Sequence, residues 1–471
     1  MEKFKLFVEN ILIYGFGGII SKLIPIIMIP IVVSMMPNSA YVGISDLANT
    51  ITYFAAPLAI MGMYDAMYRL FFEKEEIEYK KKVCSTTIVI TALTSILIFG
   101  VMIISKTFIS GFFFGDNKYA NLVYICAATT LVTATNGIVS APTRMQNKRK
   151  IFLVTNTLGP GLSYAIAIPL LLKGHYLVAL PIAGLISGFV IEVSFWCLNH
   201  SWFKLSYFDK RLIIPLLSIA IPLVPNFIVY WIFNSSDKIM ITHLLSVSDA
   251  GIYAIGSKLG LASQLIYTAF AGGWQFFAFS TMKDDNQVEI NSRVFEYLGI
   301  ISFTATCYIC AWCYGLYKLL FIDEYTESFI ISPYLFLAPL LQMLFQTACN
   351  QFIVIKKTWP NIVILSIGAV VNIALNMLLI PSIGIEGASI ATLLGYILSD
   401  IICCLVLVRM KLMLIKKRFL VSSGLMFVFF LVWRFTATKN ILLGTLLAML
   451  ITGIYALLYR TEITTLIKKK F

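Results

Sequence analysis

The 471-residue sequence is poor in charge and poorer still in the side chains that most often do chemistry. Charged residues make up 13% of it and histidines number three, against 59% apolar residues. No polar stretch is long enough to bury a soluble core, so no extramembrane domain is expected, and low-complexity segments are missing as well. His175, His200 and His243 are scattered at helix ends and form neither a metal nor a triad spacing. A Walker loop is absent, which leaves ATP hydrolysis without a phosphate cradle. Gly15, Gly17 and Gly18 lack the preceding strand and following soluble helix of a nucleotide loop, and close helix packing accounts for them. The nine cysteines imply no disulfide framework; Cys307, Cys310 and Cys313 have ligand-like spacing but no supporting histidine or carboxylate cluster, so they read as structural. These gaps leave no catalytic residue, metal site or cofactor to assign, and the chain does not read as an enzyme.

What the sequence does have is apolar length. Runs of about 20 apolar residues, enough to cross a hydrocarbon core, recur from end to end. They are twice as long as a tilted barrel strand and do not alternate in polarity, so an all-α polytopic membrane protein is expected. Spans are placed near 9–33, 41–68, 83–105, 119–142, 151–172, 176–198, 212–233, 249–280, 294–320, 329–355, 359–380, 386–408, 419–436 and 441–459, about fourteen transmembrane helices. The opening MEKFKLFVEN leads into an apolar run with no small-residue cleavage site and reads as the first span rather than a removable signal.

The basic residues set the orientation. With both termini cytoplasmic, 27 of the 36 lysines and arginines fall on the inner side, and one helix more or fewer would destroy that asymmetry. The net charge of +13 is therefore a topological and anionic-lipid signal, and no nucleic-acid partner is needed.

The chain also repeats itself. A shift of 208 positions carries Gly43-Ile44 onto Gly251-Ile252 and Lys148-Arg149-Lys150 onto Lys356-Lys357-Thr358, each at a comparable place beside an apolar run. Two pseudo-symmetric six-helix bundles follow, 1–205 and 206–410, with 411–471 supplying two additional transmembrane helices and a basic cytoplasmic tail. An even number of helices per copy relates the bundles by an axis along the membrane normal, and a cleft between them is where a substrate is expected.

Polar residues at depth are the candidate site. A charge at the bilayer centre costs about 3 kcal/mol on insertion scales, so it usually faces a cavity or a partner. Lys22 in the first span and Lys258 in the eighth both fall near mid-depth; each is either cavity-facing or a snorkelling, structurally paired lysine. Asp65 and Arg69 stand four apart, as an intrahelical ion pair would. Asp46, Glu192 and Asp400 lie in apolar segments as cation or proton sites or as buried partners for a lysine. Asp237 and Lys238 are adjacent near the outer end of the seventh span and are expected to shape its rim. Pro25, Pro30, Pro57, Pro222 and Pro225 interrupt helices 1, 2 and 7, and such breaks are tolerated beside a cavity. Tyr14, Tyr53, Tyr64, Tyr230, Trp231, Tyr267 and Trp274 lie on helices 1, 2, 7 and 8, either in interfacial belts or as rings suited to sugar faces.

The stretches DKIMITHLLSVSDAGIYAIGSKLG (237–260) and NSAYVGISDLANTITYFAAPLAIMGMYDAMYRL (38–70), with the repeat and the fourteen helices, resemble the polysaccharide transporters of the MOP exporter superfamily, the Wzx-type oligosaccharide-lipid flippases. The resemblance implies a MOP/MATE-like fold in the bacterial inner membrane. It also implies transfer of undecaprenyl-pyrophosphate-linked oligosaccharide to the outer leaflet by alternating access, for surface polysaccharide assembly. Membrane lipids, a polysaccharide polymerase and glycosyltransferases are the implied partners. Lys22 and Lys258 match the family's arrangement of a basic residue in the first helix and one in the eighth; Arg69, Asp65, Tyr230 and Trp274 complete the candidate substrate contacts. A lipid II flippase, a MATE-type multidrug exporter and, more remotely, a membrane polysaccharide polymerase or acyltransferase are the alternatives.

The orientation predicts external segments near 35–40, 107–118, 173–175, 234–248, 322–328, 381–385 and 437–440. Single cysteines placed in 107–118 or 437–440 of a cysteine-depleted chain should react with impermeant thiol reagents in intact cells, and those at 75–80 or 145–149 should not; the reverse pattern would defeat the charge argument.

Overall fold

A computed structural model describes residues 24–464, apart from 147, 261, 268, 269, 271–273, 275–284, 358 and 463, and shows helices and connecting turns with no strand among the described residues. The chain separates into two compact units, Met1–Gly251 and Ile252–Phe471. Among the described residues ten helices are long and apolar enough to cross a membrane, and each of the fourteen expected spans contains helix.

The first unit holds α1 (Ile24–Ser34), α2 (Ser39–Ile60), α3 (Met63–Phe71), α4 (Ile77–Ile104), α5 (Lys106–Phe114), α6 (Leu122–Val139), α7 (Ala141–Met145), α8 (Arg149–Leu172), α9 (Ala179–Asn199), α10 (Ile213–Ala220), α11 (Val224–Leu244) and the start of α12 (Val247–Gly260). Asn38 caps α2 by accepting a hydrogen bond from the Ala40 N–H. The helix ends at Ile60, three residues beyond Pro57, and Met61 and Gly62, both left-handed (φ 51° and 74°), follow before α3 resumes. The seventh span is broken in the same manner: α10 passes through a 3₁₀ turn at Ile221–Leu223, which contains Pro222, into α11. The two breaks meet, because a Cβ on Gly62 would lie only 2.5 Å from the Ala220 carbonyl oxygen. Glycine is needed there twice over, for its φ and for its missing side chain.

Two apolar clusters form among the described residues of this unit. Met63, Met67, Leu70 and Phe71 of α3 pack with Val83, Ile138, Phe195 and Leu216, while Ile44, Leu47 and Ile51 of α2 pack with Phe113, Phe114, Val123 and Ile239. Polar groups between helices are matched to backbone: Asn199 donates to the Val139 carbonyl and to Thr143 Oγ1, both at 2.8 Å.

The second unit continues with α13 (Gln287–Leu320), α14 (Ser332–Val354), α15 (Trp359–Ile383), α16 (Ile385–Arg409), α17 (Lys417–Val432) and α18 (Ile441–Leu458). Helix α14 is its axis and is buried along nearly its whole length. The α15–α16 hairpin turns at Gly384 (φ 67°). The last two helices are tied to the unit by charge. At one end of α17, Arg418 Nε lies 2.6 Å from Glu296 Oε1 and also pairs with Glu462, while Tyr459 donates to the same Glu296 oxygen at 2.8 Å. At the other end Arg434 grips Glu386 with two hydrogen bonds of 2.6 and 2.8 Å, and Tyr334 donates to that carboxylate at 3.1 Å.

Removing one member of a buried pair strands the other, at a cost of about 3–5 kcal/mol. Glu296, 4% exposed, should show this: Glu296→Ala should lower the melting temperature of the detergent-purified chain far more than Lys439→Ala, whose partner Glu327 lies on the exposed surface. Equal melting shifts would show that the network does not anchor α17 and α18.

Candidate functional site

The charges of the first unit converge on the contact between α2 and α11. Asp46 lies about 10 Å along α2 from its start, and Lys238 about 9 Å back from the end of α11, at 1.5 Å per residue. Their side chains meet at that common level, with Lys238 Nζ 2.7 Å from Asp46 Oδ2 and 13% and 9% of the two side chains exposed. One turn further along α2, Trp231 donates its indole N–H to the Thr50 carbonyl at 3.3 Å, and its ring lies 4.6 Å from Phe54. Asp237 is also buried, and its Oδ1 accepts the Lys238 backbone N–H at 2.8 Å. The rim expected for Asp237 and Lys238 is therefore corrected: the helix does not end near 233 but runs on to Leu244, with both residues inside it. The polar run Asn234-Ser235-Ser236-Asp237-Lys238 stays helical because α2 supplies the acid that Lys238 needs.

Beside this pair, α2 touches the first turn of α12 with no side chain between them. Cβ atoms on Gly43 and Gly251 would collide with the carbonyl oxygens of Val247 and Ser39 respectively, and each would sit 3.0 Å from the other glycine's backbone nitrogen. The contact is reciprocal, and both pairs of positions, 43 with 251 and 39 with 247, are related by the 208-residue repeat. Residue i of one copy meets residue j of the other and the converse, as in an isologous contact. Only glycine permits such an approach.

Lys22 lies outside the described residues. Asp65 and Arg69 are both exposed on α3, and no ion pair joins them among the described residues. Tyr230 is half-buried on α11, where its carbonyl accepts from Asn234 at 2.7 Å. In the second unit Lys258 is half-buried on α12, a helix held from within by Tyr317 and Ser332, which donate to the Gly256 carbonyl at 3.1 and 2.8 Å. Trp274 is buried and stacks on Phe270 at 5.6 Å. Glu192 of α9 is buried and accepts the Trp196 indole N–H at 3.3 Å. Asp400 of α16 is buried, and neither of its carboxyl oxygens has a hydrogen-bond partner among the described residues. Cys307, Cys310 and Cys313 are buried in α13. An apolar cavity of about 400 Å³, lined by Phe99, Leu131, Val132, Leu185, Ile186 and Phe189, has nothing with which to hold a charged headgroup.

Lys238 is the residue that sequence reasoning missed as a deep charge. Its signal was the pairing of a lysine with an acid at the same depth on another span, which appears only when both helices are measured from the same membrane face. The pair should couple strongly. Asp46→Asn removes the acid that pairs with the ammonium, leaving it only the adjacent buried Asp237, and should cut membrane abundance by an amount corresponding to about 3 kcal/mol. Lys238→Met added to it should restore abundance, and a double-mutant cycle with additive losses would exclude the pairing.

Comparison with known proteins places these features. A family profile described as polysaccharide biosynthesis protein matches residues 37–330. Comparison with curated proteins gave no significant match. Among solved structures, the chain is similar to the lipid II flippase MurJ in an inward closed conformation, with TM-score 0.73 and 17% identity over 97% of this chain and 99% of that one. It is also similar to a multidrug resistance MATE family transporter of the MOP superfamily. The inward-facing form gives TM-score 0.66 and 13% identity over 84% of this chain and 94% of that one; the outward-facing form gives 0.61 and 14% over 86% and 95%. The profile spans more than half of the sequence, and the chain therefore belongs to the polysaccharide biosynthesis protein family, as a multi-pass membrane protein with the fold of the MOP-superfamily transporters and flippases.

Proposed function

We propose that the protein is a flippase that moves undecaprenyl-pyrophosphate-linked oligosaccharide units from the inner to the outer leaflet of the bacterial inner membrane, by alternating access, for surface polysaccharide assembly. The observation that carries this reading is the extent of the two fold matches. The flippase likeness runs over 97% of the chain, whereas the multidrug transporter likeness covers 84% in one form and 86% in the other. A family profile concerned with polysaccharide rather than drugs points the same way.

The physics suits an anionic lipid headgroup. A pyrophosphate carries about two negative charges, and an inside-negative potential of 100 mV favours outward passage by about 2.3 kcal/mol per charge. Lys22 and Lys258 hold the diphosphate in this reading, replacing its lost hydration, and Tyr230 and Trp274 offer ring faces to sugars. Asp65 and Arg69, both exposed on α3, are further candidate contacts in this reading. The two six-helix bundles, 1–205 and 206–410, rock against each other, with the segment 411–471 outside their symmetry and both termini in the cytoplasm. A polymerase and glycosyltransferases act on either side of this step.

The test is substitution without loss of length. Lys258→Gln and Lys22→Gln delete charge and keep hydrogen bonding, and at normal protein abundance each should lower surface polysaccharide about ten- to a hundredfold, as expected for a lost charged hydrogen bond of about 1.5–3 kcal/mol. Lys258→Arg should retain partial transport. Normal export by both Gln variants would remove these residues from the site, while drug efflux by the wild type, or rescue of a strain depleted of its lipid II flippase, would replace the substrate class.

A further inference from the structure

Among the described residues the buried acids divide into those with partners and one without. Asp46 has Lys238, Glu296 has Arg418 and Tyr459, and Glu386 has Arg434 and Tyr334. Asp400 is 8% exposed, and both its oxygens lack a hydrogen-bond partner among the described residues. It stands about 22 Å from one end of α16 and about 13 Å from the other, well inside a spanning helix.

The sequence of its surroundings explains the isolation. Helix α16 packs on α14 and α15, and neither Ser332–Val354 nor Trp359–Ile383 contains a lysine, arginine or histidine. The titratable groups of α14 are Tyr334, committed to Glu386, and Cys349, whose sulfur lies 3.5 Å from Cys403; α15 has none. On α16 itself the neighbours are Tyr396, Cys403 and Cys404, with Glu386 at one end and Arg409 at the other. The turn Asp323–Ile331, which also packs on α16, brings further acids and no cation. The repeat sharpens the contrast. The 208-residue shift carries Glu192 onto Asp400 and Trp196 onto Cys404, so the first copy supplies an indole N–H, at 3.3 Å from its acid, where the second has a thiol.

An ionised carboxylate buried without a partner costs several kcal/mol, and far less when it carries a proton. We propose that Asp400 is a proton-carrying site of the second unit, holding a proton in the conformation described here and exchanging it with water at another stage of the transport cycle. The exchange is a simple transfer between hydronium and carboxylate, giving a carboxylic acid and water, and needs no other reactant. The inference rests on the transporter reading and adds the coupling ion to it.

Two measurements on the full chain in proteoliposomes test it. Dicyclohexylcarbodiimide adds to protonated carboxyl groups in apolar surroundings, so peptide mapping near neutral pH should find an adduct on Asp400, absent from Asp400→Asn. A carrying site must be reachable at some stage of the cycle, so an unmodified Asp400 would overturn the proposal. Next, with a fluorescent undecaprenyl-pyrophosphate oligosaccharide as probe, a one-unit pH step across the membrane should shift its steady-state distribution about tenfold for one proton per cycle. Asp400→Asn should abolish that response and Asp400→Glu should restore it. A wild-type distribution indifferent to the pH step, or an unchanged response in Asp400→Asn, would also overturn the proposal. No movement of the probe in any variant, with the adduct present, would instead overturn the lipid-linked substrate and leave the proton site standing.

Discussion

A hydrocarbon interior offers a charged side chain no water, so each deep charge must bring its counter-charge from another helix. That requirement organises much of this protein. Asp46 and Lys238 fix α2 against α11 across 192 residues of sequence, Glu296 and Arg418 fix α13 against α17 across 122, and Glu386 and Arg434 tie α16 to the turn that follows α17 across 48. Apolar packing alone would tolerate many rotations and shifts of a lipid-bathed helix, because lipid is as good a neighbour as leucine. An ion pair tolerates few. Charge thus does for helix register here what alternating polarity does for a soluble sheet.

The backbone supplies the complementary property. Helix 2 is broken at Met61-Gly62 and helix 7 at Ile221–Leu223, and the two breaks are packed together at Gly62 and Ala220. Missing intrahelical hydrogen bonds make these the places where both helices bend most easily. Further along the same two helices the Asp46–Lys238 pair and the Trp231–Thr50 bond hold them rigidly side by side. A helix pair that is locked at one level and interrupted at another can tilt as a body on its own breaks, which is the movement alternating access asks of it in the proposed function.

The architecture was legible because its signals are local or additive. Hydropathy located helix in all fourteen expected spans, and the proline at 57 and those at 222 and 225 marked the two interrupted helices. The site was less legible because its determinants are pairwise and distant. The polar run from Asn234 to Lys238 looked like a helix end, since nothing nearby satisfies it; the acid that does lies on α2. The reverse error is equally physical. Asp65 and Arg69 have ideal helical spacing for a pair, yet both are exposed and unpaired with each other, as expected where the net worth of an ion pair in water is a fraction of a kcal/mol.

The repeat shows the limit of such reading most clearly. Its backbone correspondence is preserved where helices touch, for Gly43 meets Gly251 and Ser39 faces Gly251 as Val247 faces Gly43. Its charges are preserved only in part, since the acid at Glu192 recurs at Asp400 while other charges do not. The positions related to Asp46 and Lys238 are Ala254 and Pro30, and the indole beside Glu192 becomes a thiol beside Asp400. Close helix contact constrains volume, which both copies must respect, whereas a buried charge constrains only its own partner. An acid with no partner, as Asp400 is among the described residues, costs less to bury with a proton than without one. Related segments of one chain can therefore share their packing and differ in their chemistry, with Asp46 locked to Lys238 in the first unit and Asp400 without a hydrogen-bond partner among the described residues of the second.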